Sequence, residues 1–132
     1  MTIRHVTFTA TDVAISVAFF DAVLATIGLV RLQEFADEEE HPADVPLDAV
    51  GFGPPDGEPL LWVVAGPAAT RGVHVAFTAG SRDQVDAFFA AGIAHGGTAR
   101  QSPRRWEIYR PGYYGALVAD PDANLVEAIL DE

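Results

Sequence analysis

His5-Val6-Thr7-Phe8-Thr9-Ala10 returns further along the chain as His74-Val75-Ala76-Phe77-Thr78-Ala79, a self-match at a shift of 69 residues, from 5 to 74. The match runs on without gaps through Ala18/Ala87, Phe19/Phe88, Phe20/Phe89, Ala22/Ala91, Ala25/Ala94, Gly28/Gly97 and Arg31/Arg100. The alanine pairs carry little weight in so alanine-rich a chain; the histidine, phenylalanine, threonine and glycine pairs carry the argument. A repeat spanning half of the chain means two copies of one supersecondary unit.

Each copy opens with a strand signal, Ile3 to Ala10 and Val73 to Ala79, rich in β-branched and aromatic residues and closed by turn-forming positions. A helix follows each. Thr11 or Asp12 can cap Val13 to Ile27, while Ser81-Arg82-Asp83-Gln84 has capping-box spacing before Val85, Phe88, Phe89 and Ile93. Gly28 and Gly96-Gly97 stop these helices, because glycine takes the left-handed conformation that closes a helix end. Shorter strands come next: Val30 to Phe35, Ala49 to Gly53 and Leu60 to Val64, then Thr98 to Gln101, Gly115 to Asp120 and Leu125 to Leu130. The turns Pro55-Asp56-Gly57 and Pro121-Asp122-Ala123 join the last two strands of each copy. The order is βαβββ twice, with one module over about 1–66 and the other over about 72–132.

With 132 residues, 49% of them apolar and 20% charged, the chain suits one soluble domain over 1–132 with one core. No apolar run is long enough to span a bilayer, and Met1 to His5 lacks the features of a signal peptide, so a cytoplasmic location is expected. The chain has no cysteine, which leaves nitrogen and oxygen as the ligands for any metal. A net charge of −11 repels phosphate backbones and anionic headgroups and argues against nucleic-acid and membrane partners. All eight basic residues are arginine, and Arg100, Arg104, Arg105 and Arg110 crowd into one stretch of this acidic chain.

Alternate residues of a strand share a face. His5 therefore lies with Thr7 and Thr9, and His74 with Ala76 and Thr78, while Val6, Phe8, Val75 and Phe77 take the helix-packing side. Glu127 sits between Val126 and Ala128 in an apolar last strand, where an ionised carboxylate is costly unless paired or bound to a cation. Two imidazoles and a carboxylate suit a divalent metal that keeps positions for water and substrate. Singly, each histidine is a hydrogen-bonded core residue and Glu127 an ion-pair partner; the repeat equivalence of the histidines favours the metal reading. His41, in the acidic loop, and His95, near a helix end, suit solvated roles.

The order of elements, the paired histidine strands, Phe19-Phe20-Asp21 and the run Gly112-Tyr113-Tyr114-Gly115-Ala116-Leu117-Val118-Ala119-Asp120-Pro121-Asp122-Ala123-Asn124-Leu125-Val126-Glu127 together resemble the vicinal oxygen chelate superfamily of glyoxalases, bleomycin-resistance proteins and extradiol dioxygenases. The resemblance covers nearly the whole chain. It implies an α+β fold of two βαβββ modules forming a curved, cup-shaped mixed β-sheet with helices on the outer face, commonly in a homodimer. In such a cup the two histidines would converge, and the family positions of His5, His74 and Glu127 are those of metal ligands for a divalent ion such as Fe, Mn, Ni, Zn or Co.

The family's metal-dependent lyases carry a fourth ligand on the last strand of the first module. Aligning the turns puts Leu61, or Trp62 with one residue inserted near Pro59, at that position, and neither ligates. Trp62, Trp106 and Tyr113 are candidate pocket-lining residues, and Tyr114, with Glu127 a candidate catalytic residue, is the candidate hydrogen-bond donor or proton relay beside the metal. Arg105 and Arg110, in a loop after the second strand of the second module, are candidate binders of an anionic small-molecule substrate. The acidic run Asp37 to Glu40 offers the competing explanation, a loop-to-loop charge attraction. Ala123 stands where the family's turn has glycine, so a positive φ there would be strained. The reading is a metalloenzyme with lyase, isomerase and dioxygenase chemistry open; the alternative is a metal-free protein that sequesters a planar compound.

Overall fold

Alternating burial fixes the two sides of every sheet in the computed structural model, which describes residues 2–35, 48–108 and 111–131. In β1 (Val6–Ala10) Phe8 and Ala10 are buried and Thr7 is exposed, as period-two patterning requires. The chain continues through α1 (Val13–Ala25), β2 (Val30–Phe35), β3 (Ala49–Gly53) and β4 (Leu61–Ala65). The second copy is β5 (His74–Thr78), α2 (Arg82–Ala94), β6 (Thr98–Arg105), β7 (Tyr113–Ala119) and β8 (Leu125–Asp131). The expected βαβββ order holds in both halves. The acidic run Asp37 to Glu40, His41 and Arg110 lie outside the described residues.

The strands form two four-stranded mixed sheets, ordered β1-β4-β3-β2 and β5-β8-β7-β6, with the first and last strand of each module parallel. Asp12, not Thr11, caps α1 by accepting from Ile15 N. Thr11 is used elsewhere: its hydroxyl donates to Asp122 Oδ1 at 2.7 Å and its N–H to Oδ2 at 3.2 Å, tying the start of one helix to the final turn of the other module. The capping box of α2 forms as expected at Ser81, which accepts from Gln84 N, while the Gln84 side chain returns to Gly80 N at 2.7 Å.

One core joins the two modules. Phe8, Phe20 and Phe52 of the first and Val85, Phe88 and Val118 of the second belong to the same buried cluster, all 2% exposed or less. Burial of each such side chain stabilises the fold by roughly 1.5–3 kcal/mol. The helices α1 and α2 pack on each other, and Phe19 approaches so closely that a Cβ on Gly97 would lie 2.6 Å from its ring. Because the modules meet through their helices, the side of each sheet away from its helix is left open.

Two expectations need correction. β6 does not end at Gln101: irregular pairing on either side of that residue lets the strand re-register against β7 and run to Arg105. Arg104 and Arg105 are therefore strand residues with opposite orientations rather than members of a loop. The left-handed turn position is real, with Ala123 at φ +69°, the one non-glycine with positive φ among the described residues.

Candidate functional site

The parallel pairing of β5 with β8 sets Ala76 against Glu127 and His74 against Leu125. His74 and Glu127 thus share the open face of the second sheet, and His74 Nε2 lies 2.8 Å from Glu127 Oε1. The carboxylate is largely enclosed, its side chain 14% exposed, whereas the imidazole is half open at 49%. Pairing of β7 with β8 places Tyr113 near the end of the same face, and its hydroxyl donates to Glu127 Oε2 at 3.0 Å. Both carboxylate oxygens are thereby engaged, one by an imidazole and one by a phenol, which offsets the cost of enclosing the charge.

Tyr114 does not stand beside Glu127. Adjacent strand residues point to opposite faces, and Tyr114 takes the helix side, where its hydroxyl donates to Asp86 Oδ1 at 2.7 Å and the Arg82 guanidinium covers its ring at 4.9 Å. The Asp86 hydrogen bond, followed by partial desolvation, holds its phenol above the ordinary value. Tyr113 is the tyrosine that reaches the carboxylate.

Cross-strand partners in an antiparallel pair share a face. Gln101 faces Leu117 and Arg104 faces Gly115, so both lie on the side of Glu127; Arg105 is paired with Tyr114, lies on the helix side, and approaches Glu107 at 3.7 Å. Arg104, rather than Arg105, is the arginine on the open face. Its guanidinium lies 3.6 Å above the Trp106 ring, whose indole N–H donates to Gly115 O at 3.3 Å. Counting alternation through β6 from Gln101 would have missed this, because the irregular pairing adds a residue and flips the count.

On the first sheet, Thr7 is paired with Trp62 just as Ala76 is paired with Glu127, so Trp62, not Leu61, stands at the position equivalent to Glu127. Its ring stacks on Phe35 with centroids 5.8 Å apart. Gly51 lies opposite and makes room, since a Cβ there would meet the Trp62 ring at 3.0 Å. His5 immediately precedes β1 and is exposed. It does not join His74 and Glu127: the described residues contain no cluster of three or more His, Asp or Glu side chains arranged to hold a metal. The reason is the packing of the modules through their helices, which keeps the first sheet's open face away from that of the second within one chain.

A cavity of about 590 Å³ lies elsewhere, lined in part by Ala10, Val13, Val17, Asp21, Arg31 and Asp48. Its arginine is already bound by Asp21 and Glu34, and no histidine, tyrosine or tryptophan is among its described lining residues. The convergence of imidazole, carboxylate and phenol marks the open face of the second sheet as the better candidate.

No family model matches the chain, and no curated protein matches it. Solved structures do. A glyoxalase/bleomycin resistance protein from Albidiferax ferrireducens T118 superposes with a TM-score of 0.75 at 29% identity, covering 97% of each chain. A glyoxalase/bleomycin resistance protein/dioxygenase family enzyme from Burkholderia phytofirmans PsJN gives 0.67 at 17% identity over 98% of both chains. The fold is that of the vicinal oxygen chelate superfamily. A lactoylglutathione lyase from Agrobacterium tumefaciens shares it at a TM-score of 0.63 and 21% identity, over 98% of this chain and 92% of that one. The open face of the second sheet of this fold carries His74, Glu127, Tyr113 and Arg104.

Proposed function

We propose that this chain is a small-molecule metalloenzyme of the glyoxalase/dioxygenase type, with a divalent ion held by His74 and Glu127 and by His5 of a second copy in a homodimer. The contact between His74 and Glu127 carries the reading. Neighbouring ligands of an ion bound at about 2.0–2.2 Å stand roughly 3 Å apart, which is the spacing of Nε2 and Oε1. Imidazole and carboxylate are a donor set for Fe, Mn, Ni, Zn or Co. The described part of one chain supplies two of the three ligands, and an exposed His5 on a face left open by helix packing is the group a second copy would bring.

When bound, the ion would act as a Lewis acid toward neighbouring substrate oxygens. The chain's own residues do the positioning. Tyr113 donates to Oε2 and so fixes the rotation of the Glu127 carboxylate, leaving Oε1 directed at His74. Leu117 and Ile129, beside Glu127 on the same face, keep water from the carboxylate's flanks. The substrate class is a small oxygen-bearing anion, by the chemistry of the adjacent Arg104.

The test is metal analysis of tag-free protein, followed by a heterodimer experiment. Wild-type protein should hold near-stoichiometric divalent metal, and His5→Ala, His74→Ala and Glu127→Gln should each lose it while keeping wild-type circular dichroism. A purified heterodimer of His5→Ala with Glu127→Gln carries one complete ligand set only when His5 comes from the opposite chain, so it should recover one ion. Failure of the wild-type protein to retain or take up Co(II) would overturn the proposal.

A second reading, metal-free sequestration of a planar compound, is favoured by one observation: an aromatic pair, Trp62 on Phe35, stands where a ligating side chain would complete the site. It predicts stoichiometric ligand binding with no metal and no turnover.

A further inference from the structure

We infer that Arg104, held over the Trp106 ring, is the selectivity group of an oxyanion subsite on β6. The subsite deepens the proposed function by naming the class of substrate, and it rests on that reading for its chemistry but not for its binding. A hollow of about 230 Å³ runs along β6, lined by Arg100, Gln101, Ser102, Arg104 and Trp106. Arg100, Gln101, Ser102 and Arg104 carry N–H or O–H donors, and two of them are positively charged.

In a chain of net charge −11 most described arginines have found an acceptor. Arg4 pairs with Glu58, Arg31 with Asp21 and Glu34, and Arg105 with Glu107, while Arg71 donates to the Asp122 carbonyl. Arg100 and Arg104 have no carboxylate partner among the described residues, although they border the same hollow. Two guanidinium groups beside one cavity repel each other, and an anion between them removes that cost. The Glu127 carboxylate meets His74 and Tyr113 instead of either arginine.

Arg104 is prepared for such a ligand. A cation–π contact, with the guanidinium carbon 3.6 Å from the centre of the Trp106 ring, holds the side chain in place, so less side-chain entropy is lost when an oxyanion docks. The indole is itself anchored on Gly115 O. Gly115 lies opposite Arg104 and also beside the carboxylate, since a Cβ there would sit 3.5 Å from Glu127 Oε2. The same Cβ would sit 3.6 Å from the Tyr113 ring, so the absence of a side chain at Gly115 makes room for Tyr113 and Glu127 to meet beside Arg104. Two strand spacings separate Glu127 from β6, so a ligand that spans both groups is short, with its ends about 10 Å apart. The structure thus favours a compact molecule with a carboxylate or phosphate at one end and oxygen ligands at the other.

The experiment titrates benzoate, phenyl phosphate and neutral benzamide into EDTA-treated protein carrying Trp62→Phe, so that fluorescence reports Trp106. At least one of the two anions should bind saturably, and at least tenfold more tightly than benzamide, as charge-assisted hydrogen bonds require. Arg104→Gln should remove that preference, whereas Arg105→Gln should leave it intact. Preference for benzoate or phenyl phosphate tells a carboxylate ligand from a phosphate one. Anion affinity unchanged by Arg104→Gln, or anions bound no better than benzamide, would overturn the assignment. Adding Glu127→Gln separates the two proposals: anion binding should persist in that variant whether or not the wild-type protein holds metal.

Discussion

Trp62 and Glu127 occupy the same register position in the two sheets, each on the closing strand of its module and each beside the residue two places after the histidine. One position carries an aromatic ring and the other a carboxylate, so the two halves have kept a common backbone and diverged at the site. Gly51 opposite Trp62 and Leu117 opposite Glu127 repeat the divergence, with the small residue facing the large ring.

Trp62→Glu should therefore supply the missing fourth ligand. Competition against a chromophoric chelator should show Co(II) affinity rising by tenfold or more, at the cost of the Phe35 stack, worth about 0.5–1.5 kcal/mol. Unchanged affinity in a folded variant would show that the first sheet's open face does not meet the His74 and Glu127 pair in the assembly.

The two adjacent tyrosines separate site effects from packing effects. Tyr113→Phe removes the donor that orients Glu127 and should weaken metal binding by about 10–100-fold, the usual effect of losing a group that holds a ligand in place. Tyr114→Phe should leave metal affinity unchanged, because its hydroxyl belongs to Asp86 on the other side of the sheet. Calorimetry on both variants checks the contrast, and equal losses would contradict the assignment of faces.

Tyr114 also carries a pH signature. Its phenol is held above the ordinary 10.0, first by the hydrogen bond to Asp86 and then by desolvation. A folded-state value above the unfolded one means that the contribution is fully present below pH 10 and is lost as pH rises through the folded value. Denaturant unfolding at a series of alkaline pH values should show wild-type stability falling more steeply than that of Tyr114→Phe. Parallel curves would show that the Asp86 contact is absent in solution.

Much of this architecture could be read from the repeat, because hydrophobic alternation and helix caps are local signals: Phe8 and Phe77, Asp12 and Ser81 act where the pattern puts them. The meeting of His74 with Glu127, 53 residues apart, is not a local signal; the family resemblance, not the pattern, put both in one site. Three features were legible in neither. Arg104 and Arg105 exchange sides because of irregular pairing in β6; Pro103 within that stretch signals a break in the ladder, but not how many residues it adds. Parity says that the neighbours Tyr113 and Tyr114 take different faces, but not which of them faces the helix. His5 stands apart from His74 because α1 and α2 pack on each other, a contact between modules that no strand pattern encodes.

Asp120 shows how the last turn is held. Its Oδ1 accepts from the backbone N–H groups of Asp122 and Asn124, both at 2.9 Å, while Asn124 Nδ2 donates to Oδ2 at 3.1 Å. Asp120→Asn would set one NH₂ against another and should cost about 1–3 kcal/mol at pH 7, measured by denaturant unfolding. Burial raises the Asp120 carboxyl above 3.8, with the Asn124 and Asp122 hydrogen bonds opposing it. Because the folded value is the higher one, this group contributes most below pH 3.8 and loses its contribution as pH rises through the folded value. The gap between wild type and variant should thus be no smaller at pH 4.5 than at pH 7, and a gap that closes in acid would contradict this account.

Ala123 stores strain in the same turn. At φ +69° its Cβ is forced toward its own carbonyl, a conformation costing an L-residue roughly 1–2 kcal/mol. The turn keeps it there because Ala123 N–H donates to Asp120 O at 3.0 Å and Ala123 O accepts from Gly72 N at 3.0 Å, so the residue is fixed from both sides. Glycine would remove the steric cost but widen the unfolded ensemble by about 0.4–1 kcal/mol, leaving Ala123→Gly more stable by about 0.5–1 kcal/mol. Ala123→Val, with a branch on Cβ, should move stability the other way. Thermal unfolding of the two variants beside the parent reads both signs at once. If Ala123→Gly melts at or below the parent temperature, the left-handed geometry of this turn is not the source of strain.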